Sequence, residues 1–135
     1  MNGQIKLKLG TLLNDSSIVI QCHDTPDADA IASGFALYDY FSSLGKSVRL
    51  IYSGKNTIDK PNLLLMISAL NIPIEQAEHA HVDGLLITVD CQFGAGNVSR
   101  LREDAENVVI IDHHRQEILI FLGAKFILSW VPARR

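Results

Sequence analysis

Residues 17–45 decide the fold, and they read SIVIQCHDTPDADAIASGFALYDYFSSLG. The stretch begins with a short apolar run at 17–23 that is rich in β-branched side chains, as buried strands are. From residue 29 to residue 44 the apolar positions recur at helical spacing, and Gly45 then supplies a helix-ending signal. The stretch therefore predicts a buried strand followed by a helix, which is the first unit of an α/β protein.

The rest of the chain repeats this alternation of strand and helix. Residues 4–13 allow either a short helix or a strand. Helices of this length between strands imply parallel pairing through right-handed crossovers, with helices on both faces of the sheet. The sequence therefore predicts a three-layer α/β/α fold with a mostly parallel, open sheet. Beyond the first unit, its strands are predicted at 48–52, 84–90 and 108–112, and its helices at 61–70 and 97–105.

Size, charge and cysteine content restrict the class of protein. A chain of 135 residues suffices for one hydrophobic core. The formal net charge of −3 argues against a broad basic surface for long duplex nucleic acid, but a small phosphorylated substrate can be bound by local charges. No apolar run reaches the ~18 residues of a membrane span, and Cys22 and Cys91 follow apolar runs rather than forming a disulfide framework. We therefore expect a single domain, 1–135, of a cytoplasmic protein.

Acidic residues and histidines stand at or just after the ends of three predicted strands. In an open parallel sheet, ligands bind outside the carboxyl ends of the strands, so these residues are expected to converge on one edge. Carboxylate oxygens and imidazole nitrogens suit manganese, magnesium or zinc ions. The sequence therefore predicts one shared metal site, with manganese preferred. Its candidate residues are His23, Asp27, Asp29, Asp90, Asp112, His113 and His114.

Each candidate residue alone also has a simpler explanation. Asp27 and Asp29 beside Pro26 suit a turn and a helix N-cap, because aspartate accepts the free amide hydrogens there. Asp90 suits a turn, and the two histidines suit a solvated loop. Independent turn residues have no reason to occupy the same end of three strands, so their joint placement favours the metal site.

Three segments, in this order, resemble the motifs of the DHH phosphoesterase family. Residues 23–33, HDTPDADAIAS, resemble the first motif, and Asp90 after the apolar run 85–89 resembles the second. Residues 112–114, Asp-His-His, are similar to the third motif, which names the family. The form of the first motif is closer to the branch that degrades very short oligoribonucleotides and dephosphorylates phosphoadenosine phosphate. The resemblance implies a hydrolase of phosphomonoesters or short phosphodiesters.

The resemblance also implies a role for each motif residue. One metal ion would be held by His23, Asp27 and Asp90, and a second by Asp29, Asp90 and His113. Asp90, His113 and His114 would carry catalysis, with His114 facing the substrate phosphate and Asp112 supporting the metal shell. Arg100 is a further candidate for binding the phosphate. Water activated at two Mn²⁺ ions, with Mg²⁺ as the alternative, would hydrolyse a small phosphorylated nucleotide or a short oligonucleotide.

The last part of the chain departs from the family pattern. Family members usually continue with a further aspartate and then a second domain with a glycine-rich substrate-binding motif, whereas residues 126–135 contain no carboxylate. We therefore expect a C-terminally incomplete domain that lacks the second domain. An alternative hypothesis follows, namely a metal- or nucleotide-binding module of the same family without turnover. The apolar segment 118–130 also allows association into a homodimer.

Overall fold

From residue 17 to residue 76 strands and helices alternate, as the sequence predicts. The computed structural model describes residues 17–77, 81–82, 84–89, 107–112 and 126–129. The four predicted strands and the helices at 29–44 and 61–70 are confirmed, with ends that differ by no more than one residue. The segments predicted at 4–13 and 97–105 lie outside the described residues. The elements are β1 (Ser17–Cys22), α1 (Ala28–Ser43), β2 (Ser47–Tyr52), α2 (Pro61–Leu70), β3 (Ile74–Gln76), β4 (Leu85–Val89), β5 (Asn107–Asp112) and β6 (Phe126–Ser129).

The described strands form one six-stranded sheet in which every neighbouring pair is parallel. Their order is β3-β2-β1-β4-β5-β6, so the chain builds outward from β1 in one direction and then returns to build outward in the other. Parallel pairing places the carboxyl ends of all six strands at the same edge of the sheet. The protein therefore has an α/β fold with an open parallel sheet. The short strand β3, at one edge, is an addition to the predicted set.

Both described helices pack against one face of the sheet. Ile31 and Phe41 of α1 and Leu63 of α2 are buried against alternate residues of the central strands, among them Ile20 and Ile87. Helix α1 approaches β2 closely at Gly34, where an added Cβ would lie 2.6 Å from Leu50 Cδ1. The absence of a side chain at this position brings the helix axis close to the strands, as close packing of a core requires.

The opposite face of the sheet is buried as well. The apolar side chains clustered on this face are between 0% and 3% exposed, so the central strands are covered on both faces. This explains why they read as unbroken apolar runs rather than as alternating ones. Burial on both faces agrees with the predicted three-layer arrangement. The residues of this second apolar cluster are Val19, Ile51, Val82, Leu86, Val108 and Ile110.

Helix α2 is apolar but short. Its proline-led start and its end at Asn71, in the left-handed region at φ 51° and ψ 48°, limit it to ten residues. Leu65 is 71% exposed, whereas Leu63 faces the core. Within the described ranges, no helix is both long and apolar enough to cross a membrane.

Candidate metal centre

The loop between β1 and α1 carries the first group of candidate ligands. His23 follows the last residue of β1 directly, and its side chain is only 14% exposed because the strand holds it against the protein. Asp27 is the N-cap of α1, with an extended backbone at φ −97° and ψ −177°. Its Oδ1 atom accepts a hydrogen bond of 2.9 Å from the backbone N–H of Ala30. The helix cap therefore fixes the direction of this carboxylate.

His23 and Asp27 point toward each other. The distance from His23 Nε2 to Asp27 Oδ1 is 3.8 Å. Two ligands that share one ion at about 2.1 Å lie roughly 3 to 3.5 Å apart, so a shift of a few tenths of an ångström would bring this pair onto one ion. The Asp27 side chain is 60% exposed, and the cap engages Oδ1, so the carboxylate remains accessible. The cap and the ligand interpretations of Asp27 are therefore compatible.

The other candidate residues are placed less completely. Asp29 lies in the first turn of α1 and is exposed. Among the described residues, no three histidine, cysteine, aspartate or glutamate side chains form a group that could hold an ion. Asp112 is the last residue of β5, and only its backbone is described. The remaining candidates, Arg100, Asp90, His113 and His114, lie outside the described residues.

The register of the sheet shows where the chain leaves each strand. Cys22, the last residue of β1, is level with Val89, the last residue of β4. Val89 is in turn level with Ile111, so β5 ends one residue further along the same edge. The strands β1 and β4 are also the neighbours at which the strand order reverses. In open α/β sheets, ligands bind in the crevice at this switch point.

The thiol of Cys22 has a structural role beneath this loop. It is fully buried, and its Sγ donates a hydrogen bond of 3.4 Å to the carbonyl oxygen of Ala30. Ala30 is the residue whose N–H binds Asp27, so the end of β1 and the start of α1 are joined on both sides of that residue. The expectation of a buried cysteine rather than a disulfide is confirmed for Cys22.

A contact that the sequence did not reveal lies beside the same loop. Gly54, two residues beyond the end of β2, packs against the backbone of Asp24. The only sequence signal was a Ser-Gly pair after a predicted strand, which is typical of any turn. The contact becomes visible once β2 is known to lie next to β1.

Comparison with known families agrees with the motif pattern. The model of the DHH family, N-terminal domain, matches residues 17–128, from the first residue of β1 into β6. The match covers most of the 135-residue chain and includes all three motif segments. The chain therefore belongs to the DHH family, a family known generally for phosphoesterases, and the part that matches is the N-terminal domain.

Proposed function

We propose that this chain is a divalent-metal-dependent phosphoesterase domain. The observation that carries the proposal is the pair His23 and Asp27, 3.8 Å apart at the carboxyl edge of β1. The pair lies where the strand order reverses, next to the end of β4, from which the chain continues into Asp90. Membership of the DHH family supports the same chemistry.

The donor atoms fit a hard or borderline divalent ion. His23, Asp27 and Asp90 would hold one ion, and Asp29, Asp90 and His113 would hold the other. An imidazole with several carboxylates suits Mn²⁺, with Mg²⁺ as the alternative, because oxygen donors outnumber nitrogen donors and no thiolate takes part. Divalent ions in such a site polarise phosphoryl oxygens and lower the pKa of water.

The chain's own residues prepare this chemistry. The cap contact to Ala30 holds Asp27 before any ligand arrives, and the strand holds His23. A pre-oriented pair loses less entropy on binding than two free side chains do. His114 would donate to the substrate phosphate, and Asp112 would orient its neighbours by hydrogen bonding.

A small phosphorylated nucleotide or a short oligonucleotide is the substrate class that we propose. The net charge of −3 leaves no general attraction for a long polyanion. Local positive charge is present, however, because exposed Lys55 directly follows Gly54, and Gly54 touches the candidate metal loop. One ammonium group near two metal ions suits a ligand with a single phosphate better than a long nucleic-acid strand.

The direct test is Mn²⁺-dependent hydrolysis of phosphoadenosine phosphate and of a ribodinucleotide. Asp90→Ala is expected to abolish turnover, whereas Asp39→Ala, an exposed carboxylate in the body of α1, is expected to leave it unchanged. Turnover that survives in Asp90→Ala would refute the assignment of this residue. Absence of both turnover and Mn²⁺ binding in the unaltered chain would refute the proposed function.

A second candidate function is binding of a metal ion or nucleotide without turnover. It is favoured by the end of β6, where Ser129 lies level with Asp112 and residues 126–135 supply no carboxylate. A site with one acidic ligand fewer would keep part of its metal affinity and lose activity. Mn²⁺ binding that depends on Asp90, together with no hydrolysis of either substrate, would identify this second function.

A further inference from the structure

Gly54 makes an unusually close approach to the candidate metal loop. A Cβ added at this position would lie 1.9 Å from the carbonyl oxygen of Asp24 and 2.7 Å from its carbonyl carbon. Gly54 does not have the positive φ that would explain a glycine by backbone conformation, since the positive-φ glycine of the described residues is Gly45. The requirement for glycine is therefore steric, and it arises from the contact with Asp24.

The backbone of Gly54 is held from its other side by β3. Gln76 Nε2 donates a hydrogen bond of 2.6 Å to the carbonyl oxygen of Gly54. One residue earlier, Ser53 Oγ donates to the carbonyl oxygen of Ala77 at 2.9 Å and accepts from Gln21 Nε2 at 3.4 Å. Ser53 is 4% exposed, so these bonds are shielded from water. The segment 53–54 is thus tied to both β1 and β3.

Asp24 lies between the two described ligands of the candidate centre. At one end of the loop His23 is attached to β1, and at the other end Asp27 is fixed by the helix cap. Between these two points, Gly54 limits where the backbone of Asp24 can lie. The path of the loop that joins His23 to Asp27 is therefore restricted by this contact.

We propose that Gly54, held by Gln76, is a positioning residue that sets the spacing of the metal ligands His23 and Asp27. The proposal rests on the proposed function, because it assigns these two residues to one ion. Real Cβ atoms essentially never come within 3.0 Å of such an atom, so an alanine must displace one backbone by at least 1.1 Å, the difference between 3.0 and 1.9 Å. Metal sites tolerate about 0.2 Å of error in ligand distance, so this displacement is large.

The test compares two glycine substitutions that differ in location. Gly54→Ala is expected to weaken Mn²⁺ binding about 10- to 100-fold, the usual effect of losing a residue that supports a ligand. Gly45→Ala is the matched control, because it strains a backbone with φ +79° but has nothing within 4 Å of its Cβ. The control is expected to lower the melting temperature and to keep the Mn²⁺ affinity. Binding is measured by titration calorimetry at equal folded concentrations.

Gln76→Ala provides a gentler perturbation for the case in which Gly54→Ala does not fold. It removes the hydrogen bond to Gly54 and leaves the close contact with Asp24 in place. We expect Mn²⁺ affinity to fall less than tenfold in Gln76→Ala and further in Gln76→Glu, because a carboxylate cannot donate to the Gly54 carbonyl oxygen and would repel it. Unchanged affinity in both Gln76 variants would overturn the role of this side chain.

Hydrogen exchange in the metal-free protein separates this proposal from the proposed function. The amide of Ala30, which donates to Asp27, is expected to exchange faster in Gly54→Ala than in Gly45→Ala, because displacement of the loop weakens the cap. Equal exchange in the two variants, or Mn²⁺ affinity within twofold of the unaltered chain in Gly54→Ala, would overturn the positioning role. If the unaltered chain binds no Mn²⁺, the proposed function fails, and the exchange rates alone decide whether Gly54 positions the loop.

Discussion

Asp27 is expected to have two separable roles, and two substitutions distinguish them. Asparagine caps a helix about as well as aspartate, whereas alanine does not cap at all. Because Asp27 Oδ1 accepts from the Ala30 N–H, Asp27→Ala in the presence of a chelator should lower the free energy of unfolding by about 1 kcal/mol. For a domain of this size that is a fall of roughly 3 °C in melting temperature. Asp27→Asn should lose only a few tenths of a kcal/mol, from the missing charge at the helix N-terminus.

In chelator, Asp27→Asn and the unaltered chain should have similar melting temperatures. In the presence of Mn²⁺, their melting temperatures should differ. At a Mn²⁺ concentration 100 times Kd, binding stabilises the folded state by about 2.7 kcal/mol. This should raise the melting temperature of the unaltered chain by roughly 8 °C. Both substitutions remove the anionic ligand, so both should lose most of this increase, although Asp27→Asn retains the cap.

The assay is a thermal melt followed by circular dichroism, with chelator and with Mn²⁺, for the three proteins. A full metal-dependent increase in Asp27→Asn would refute the ligand role. Equal melting temperatures of the two variants in chelator would refute the cap role. The two roles are thus tested in the same samples under different conditions.

Four further substitutions test the packing that supports the site. Thr88→Val should raise the free energy of unfolding by about 1 kcal/mol, because the buried Thr88 hydroxyl has no hydrogen-bond partner among the described residues. Urea denaturation measures this change, and a loss of stability would show that the hydroxyl has a partner. Gly34→Val should destabilise the protein by roughly 2 kcal/mol, since even a Cβ would lie 2.6 Å from Leu50 Cδ1, and an unchanged denaturation midpoint would contradict this packing. Ile87→Ala in the core should lower the free energy of unfolding by about 3 kcal/mol. Leu65 is 71% exposed, so Leu65→Ala should change it by no more than about 0.5 kcal/mol. Similar losses of stability at the two positions would refute the burial pattern.

Long periodic segments were predictable from the sequence because their own pattern determines them. The run 17–22 is apolar throughout and the strand is buried on both faces, and the helical spacing of 29–44 reappears as α1 with Ile31 and Phe41 in the core. Strand β3 was not predictable in this way. It has three residues, of which Glu75 and Gln76 are exposed, and it exists because β2 offers backbone partners. Its own side chains carry no strand pattern.

The position of the candidate site was predictable from the sequence, but one of its supporting contacts was not. Its position at one edge followed from parallel strands and from the residues at their ends, and the described pair His23 and Asp27 lies at that edge. The contact of Gly54 with Asp24 joins positions far apart in sequence and depends on which strand neighbours β1. A glycine in a loop carries no information about what approaches it. Only the three-dimensional arrangement reveals such a steric requirement.

The reversal of strand order also has a consequence for folding kinetics. Strands β1, β2 and β3 pair with their neighbours in sequence. Strand β4 follows β3 in the chain but pairs with β1, so this pairing joins residues that are far apart in sequence. Closing such a large loop is slow, because the entropy is lost before the contacts are gained. We therefore expect the register between Cys22 and Val89 to form late. During refolding, protection of the amides of β1 and β2 should therefore precede the appearance of Mn²⁺ binding.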